Sequence, residues 1–183
     1  SSDLGVPVIL HDIHLQATTD VAAKFPDRAR SDGQFYAVDF NLSEIKSLRA
    51  HERRNSDGTA VFPARFPAQA GLSQVPTLAE EIALIEGLNQ STGRESGLYI
   101  EMKGSEFHRR EGYDLPKAVL EVLKSAGWDE RADAVFLQSF EPEALKYLKT
   151  ELGTKLPLIQ LIGENSWNDG SADFEAMRSN EGL

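Results

Sequence analysis

The apolar positions of this chain change their period several times, and each change marks an expected helix or strand. Val6-Pro7-Val8-Ile9-Leu10 is a continuous apolar run that stops at His11-Asp12, as a buried strand leading into a polar loop does. Pro7 cannot donate to a ladder and belongs at the start of such a strand. Residues 35–40 predict a small second strand. Asn41 stands three positions before Glu44, the spacing of a capping box, and Ile45 and Leu48 share one helical face, which predicts a helix over about 42–49. Thr77 and Glu80 repeat that spacing ahead of Leu78, Ile82, Ile85 and Leu88, predicting a helix over about 78–89.

Three further strands alternate with helices beyond that point. Residues 97–103, 134–140 and 156–162 carry the strand runs. Leu115-Pro116 opens a helix whose stripe is Val119, Leu120, Val122 and Leu123, ending at Gly127. Pro142 opens another with Leu145 and Leu148 on one face and Gly153 as its stop. Strands separated by helices of this length predict right-handed βαβ crossovers on a parallel sheet, and so an α/β fold. Residues 18–33 are irregular. Residues 50–76 hold three prolines and no period, and 104–114 form a second aperiodic stretch, so both are expected as long loops over the functional rim. Residues 163–183 are polar and bring no helix–strand unit to close the sheet, so the chain reads as one domain, residues 1–183, cut at both ends.

Composition removes several classes of function. With 19 Lys plus Arg against 29 Asp plus Glu, the net charge is −10, and no basic block is present to neutralise phosphates of a nucleic acid. No run approaches the roughly 18 apolar residues of a membrane span. The first five residues have neither the basic nor the apolar region of a signal peptide. The absence of Cys rules out disulfides and thiolate metal sites, leaving carboxylate, imidazole or backbone oxygen as ligands, and oxygen favours Ca or Mg.

Ligands of parallel α/β folds gather at the carboxyl ends of strands. His11-Asp12, Glu101 with Lys103, and Gln138 with Ser139 are expected there. A carboxylate can hold a hard cation, an imidazole can move a proton near neutral pH, and a Lys can balance phosphate charge. Plainer readings stand beside these. His11 could cap a strand end, and Glu101 with Lys103, two apart and so on one side of a strand, could be a surface ion pair of small value. His14, His51 and His108 are expected to be solvated, and Phe62, Phe66, Trp128 and Trp167 to pack. Gly-rich phosphate signatures are absent.

Several segments, in order, resemble the glycerophosphodiester phosphodiesterases. They are Val6-Pro7-Val8-Ile9-Leu10-His11-Asp12 with Thr18-Thr19-Asp20, Leu42-Ser43-Glu44-Ile45-Lys46-Ser47-Leu48, Val75-Pro76-Thr77-Leu78, Tyr99-Ile100-Glu101-Met102-Lys103 and Leu137-Gln138-Ser139-Phe140. Residues 20–28, 62–67 and 86–93 look most like the bacterial periplasmic branch. The resemblance covers about residues 5–167. It implies a TIM (β/α)8 barrel, partial in this chain, that uses a divalent cation, Ca or Mg, and two histidines to cleave a small-molecule glycerophosphodiester into an alcohol and glycerol 3-phosphate. On that resemblance His11 matches the second catalytic histidine, Glu101 a metal ligand, Lys103 a basic residue near the phosphate and Gln138 a substrate contact. It also implies a periplasmic or secreted location.

The chain departs from the family pattern at its start. A strand ending in His-Arg-Gly and a second carrying Glu-x-Asp do not precede Val6, and the four strands expected in the parallel sheet, 6–10, 97–103, 134–140 and 156–162, fall short of the barrel's eight. The expectation is therefore a piece of a longer enzyme. A non-catalytic binding or interaction module on a degenerate barrel is the alternative.

Overall fold

Asn41 opens a helix as its spacing to Glu44 predicts. Its Oδ1 accepts from the Glu44 N–H at 2.9 Å, and Glu44 Oε2 accepts from the Asn41 N–H at 2.9 Å. In the computed structural model, which describes residues 5–65, 73–167 and 172–179, this helix lies in the first of two compact units, Ser1–Leu78 and Ala79–Leu183. The first unit contains α1 (Val21–Lys24) and α2 (Leu42–Ser47), with 3-10 turns at Pro26–Arg28 and Ala37–Asp39. Ile45 of α2 and Val21 of α1 enter one core with Leu15, Phe35, Phe40, Leu48 and Val75, flanked by Val8, Leu10, Phe25 and Ala37.

Two strands expected here take other forms. Residues 6–10 run extended, but only Val8 forms a bridge, antiparallel to Thr77, supported by Ile9 N–H to Pro76 O at 2.8 Å and Leu78 N–H to Pro7 O at 2.9 Å. Prolines at 7 and 76 remove a donor from each segment, which keeps this pairing to one bridge. Residues 35–40 bridge only at Tyr36, to His14, and then turn through Ala37–Asp39, where Phe35 and Phe40 both point into the core.

The second unit carries the βα alternation. After α3 (Leu78–Thr92) come β1 (Leu98–Glu101), α4 (Ser105–Arg110), α5 (Leu115–Ser125), β2 (Val135–Ser139), α6 (Pro142–Thr150), β3 (Leu158–Gln160) and the short α7 (Phe174–Met177). The three strands are parallel in the order β1-β2-β3, so the parallel set has three members where four were expected. Val135, Leu137 and Ser139 are buried and alternate with half-buried Phe136 and Gln138, so β2 packs one face closely. Met102, Val119, Leu123, Leu145 and Leu148 are also buried, and α6 packs on β2 and β3. The stretch 104–114, expected as a loop, contains α4: Gly104 takes a left-handed conformation (φ 64°) and the next six residues wind into a short helix whose last turn is basic. Of the residues expected in loops or packing, 66–72, including Phe66, lie outside the described residues.

Gly97 leads into β1 against the backbone of Ala134, whose carbonyl accepts from Leu98 N–H at 2.7 Å. A Cβ at 97 would collide with that carbonyl oxygen. Gly97→Ala is therefore expected to lower stability by about 1–3 kcal/mol, as overpacking does. Gly87→Ala in α3, where a Cβ meets nothing within 4 Å, should raise it by about 0.5–1 kcal/mol. Urea unfolding of both variants checks the pair, and equal midpoints would contradict the close approach at Gly97.

Candidate functional site

Register sets the first cluster. β1 ends at Glu101, directly opposite Gln138 of β2, and the Met102 N–H donates to Gln138 O at 2.9 Å. In parallel strands paired residues share a face, so Glu101 and Gln138 lie on the face that also carries Tyr99 and Phe136, whose rings meet at 5.9 Å. Lys103 follows two positions later with Nζ 3.6 Å from Glu101 Oε1 and 5.5 Å from the Phe140 ring centroid. The side chains of Glu101 and Lys103 are 26% and 40% exposed, so the pair is partly withdrawn from water.

Glu101 Oε1 is buried and accepts no hydrogen bond. A carboxylate oxygen cut off from water normally collects donors, and an ammonium at 3.6 Å attracts it without supplying one. An anionic oxygen left in this condition is chemically suited to a hard cation. Glu101 would supply one ligand of such a site; among the described residues no three of His, Cys, Asp or Glu converge. Ser105 Oγ, at the first position of α4, is a second buried polar atom without a hydrogen bond, and sequence reasoning gave no signal for it.

The second cluster lies in the unit Ser1–Leu78. His11 follows the single Val8 bridge and is 67% exposed, while its Nδ1 lies 2.6 Å from Asp12 Oδ1. An ionised carboxylate only accepts, so Nδ1 carries the proton and Nε2 is the nitrogen left for other chemistry. The second oxygen of Asp12 accepts from Arg53 Nη1 at 2.6 Å. Burial raises the Asp12 pKa, but the hydrogen bonds from Arg53 and His11, with their charges, outweigh it and hold the carboxyl below its ordinary 3.8. No sequence spacing points to the side chain of Arg53, whose partner lies 41 residues away.

The other histidines are more engaged than expected. His14 meets the Tyr36 ring edge-on at 4.5 Å, with Nε2 buried and without a hydrogen bond. His51 Nδ1–H donates to Glu52 O at 2.7 Å, and His108 Nδ1–H donates to Gly104 O at 2.7 Å across the start of α4. Trp128 is buried as expected, donating from Nε1 to Glu86 Oε1 at 2.6 Å beneath the Arg131 guanidinium. Trp167 instead is 67% exposed, and Phe62, 44% exposed, lies under the Arg65 guanidinium.

Parallel βα units here end in a carboxylate, a lysine and a glutamine, the strand-end placement in which α/β folds gather their functional groups, and sequence comparison assigns the family. The chain belongs to the glycerophosphoryl diester phosphodiesterase family, whose model matches residues 1–181. It is 43% identical over 172 residues to a glycerophosphodiester phosphodiesterase of Haemophilus influenzae, covering 90% of this chain and 47% of that one. With a glycerophosphodiester phosphodiesterase of Treponema pallidum it shares 38% identity over 159 residues, 85% of this chain and 45% of that one. A solved structure from Silicibacter pomeroyi, a candidate glycerophosphoryl diester phosphodiesterase, superposes with a TM-score of 0.60 at 23% identity, over 90% of this chain and 53% of that one. The fold is thus α/β, a part of a TIM (β/α)8 barrel. The chain spans about half the length of the curated relatives it matches.

Because the Asp12 carboxyl is depressed when folded, its contribution to stability is present at neutral pH and is lost as pH falls below about 3.8 through the folded value. Following the Asp12 carboxyl 13C shift with pH should give a midpoint below 3.8, moving upward in Arg53→Ala. A midpoint indifferent to that substitution would contradict the pairing.

Proposed function

We propose that the whole protein hydrolyses glycerophosphodiesters to an alcohol and glycerol 3-phosphate with the help of a divalent cation, Ca or Mg. The observation that carries this reading is the buried oxygen of Glu101, which has the Lys103 ammonium beside it, no hydrogen bond, and Gln138 level with it on the neighbouring strand. Family membership and the names of the Haemophilus influenzae and Treponema pallidum relatives support it.

In this reading Glu101 would hold the cation as one ligand, and the cation, when bound, would supply positive charge for the phosphate oxygens. Lys103 adds a second positive charge at the same strand end. Gln138 positions the substrate through its amide. His11 acts from Nε2 as general acid, giving a proton to the leaving alkoxide as the P–O bond breaks, while water supplies the hydroxyl that remains on the new phosphate. The other proton of that water is released to solvent, and the imidazole takes up a proton again for the next turnover. Asp12 keeps the His11 proton inventory in order by accepting from Nδ1–H.

A periplasmic or secreted location is part of the proposal, and rests on the resemblance of residues 20–28, 62–67 and 86–93 to the bacterial periplasmic branch. Among the described residues no helix is long and apolar enough to cross a membrane.

Calorimetric titration of the whole protein with Ca and Mg, run beside an assay for released glycerol 3-phosphate, tests the assignment. Glu101→Ala is expected to remove both the metal-dependent heat and turnover. His11→Ala should keep the heat and lower turnover by about 10²–10⁴-fold. A Glu101→Ala protein that binds metal and turns over normally would overturn the metal role. A whole protein that binds glycerophosphodiesters without releasing product would favour a binding module instead.

A further inference from the structure

The excursion that begins at residue 50 is built into the first unit at several points. Ala50 bridges Thr19, His51 N–H donates to Thr18 O at 2.9 Å, and Arg54 N–H donates to Ala17 O at 2.9 Å. Arg54 and Ala60 then form an antiparallel bridge, with Val61 N–H to Arg53 O at 2.9 Å. The tip is closed by Asn55 N–H to Thr59 O at 2.8 Å and by Gly58 at φ 82°, a conformation open to glycine. Arg53 therefore stands at the base of a small hairpin whose backbone is fixed on both sides.

From that base its guanidinium reaches Asp12 Oδ2 at 2.6 Å, while Asp12 Oδ1 takes the His11 Nδ1–H at 2.6 Å. The carboxylate is thereby held at both oxygens, one by a neighbour in sequence and one by a residue 41 positions away. A carboxylate adjacent in sequence to an exposed imidazole is free to rotate about two bonds and to face water instead. A charge-assisted bond from a fixed guanidinium removes that freedom. The neighbouring charges are themselves occupied: Arg65 Nη1 lies 3.5 Å from Glu52 Oε1 and stacks on Phe62.

We propose that Arg53 is a positioning residue for His11: by fixing the Asp12 carboxylate it keeps a proton on His11 Nδ1 and leaves Nε2 as the nitrogen that exchanges a proton with substrate. This deepens, and rests on, the reading of His11 as general acid. It also gives the excursion a function, since the hairpin carries the clamp into place. Arg53 need not touch substrate, which separates it from an arginine that grips phosphate.

The experiment combines a spectroscopic and a kinetic arm. In the whole protein labelled with 15N-histidine, the His11 ring signals, identified by their loss in His11→Gln, are read at about pH 8.5, well above the ordinary imidazole range. The Nδ1–H tautomer should dominate. It should give way to a majority of Nε2–H in Asp12→Ala, which sets the full scale, move part of the way in Arg53→Ala, and return toward the starting value in Arg53→Lys. Backbone amide spectra establish that each variant is folded.

In the whole protein Arg53→Ala should lower kcat about tenfold, part of what a general acid contributes, with KM changed less than about twofold, and Arg53→Lys should recover part of the loss. An unchanged tautomer in folded Arg53→Ala would overturn the proposal. So would a raised KM at constant kcat, the mark of direct phosphate binding. A tautomer that follows Arg53 in a whole protein without turnover would sink the phosphodiesterase reading and leave the Arg53–Asp12–His11 clamp standing.

Discussion

In a parallel sheet every strand ends on the same edge, and that constraint organises the second unit. Neighbouring strands can be joined only by a crossover, so α4 and α5 separate β1 from β2 and α6 separates β2 from β3. The buried face is then filled by Val135, Leu137 and Ser139 and by the helices over it, which leaves polar groups no place except the other face and the strand ends. Pairing of Leu98 with Val135 carries through three further steps to place Glu101 level with Gln138. A slip of one residue would turn Glu101 toward the helices. Ser139 locks the end of the pair, donating to Met102 O at 3.3 Å and accepting from Glu141 N–H at 3.1 Å.

The first unit solves a different problem, because single bridges provide few ladder bonds. Carboxylates do much of the joining. Asp20 Oδ1 accepts from Arg49 N–H at 2.8 Å, Asp39 takes Arg30 at 2.7 and 2.8 Å, Glu44 takes Arg28 at 2.9 Å, and Asp12 takes Arg53 at 2.6 Å. Individually such half-exposed pairs contribute little. Their use is geometric: each pins a loop above the core of Leu15, Val21, Phe35, Phe40, Ile45, Leu48 and Val75. The excess of acid over base in the composition fits a unit in which several carboxylates act as acceptors for backbone as well as for arginine.

The fold was legible where a local rule acts alone. Asn41 with Glu44, Pro116 and Pro142 near helix starts, and the apolar runs around Ile100, Leu137 and Ile159 each specify their element within a few residues. It was not legible where tertiary packing overrides local pattern. Residues 6–10 have a strand's composition, but a strand needs a partner, and prolines on both segments leave a single bridge. The helix α4 escaped notice because Ser105-Glu106-Phe107-His108-Arg109-Arg110 has no apolar stripe; it is set by the left-handed Gly104 and by the His108 bond to its carbonyl. Glu101, Lys103 and Gln138 were readable as polar ends of apolar strands. Arg53 was not, because an arginine in an aperiodic stretch gives no sign of which carboxylate it will meet.

The proposed cation site turns on the buried oxygen of Glu101 that accepts no hydrogen bond. Crystals of the whole protein soaked in Mn, a stand-in for Ca or Mg whose anomalous scattering locates it, test this most directly. The expected result is an anomalous peak about 2.0–2.6 Å from Glu101 Oε1, the range of hard-cation bonds to carboxylate oxygen. A bound ion elsewhere, with Glu101 Oε1 still facing Lys103 alone, would contradict it.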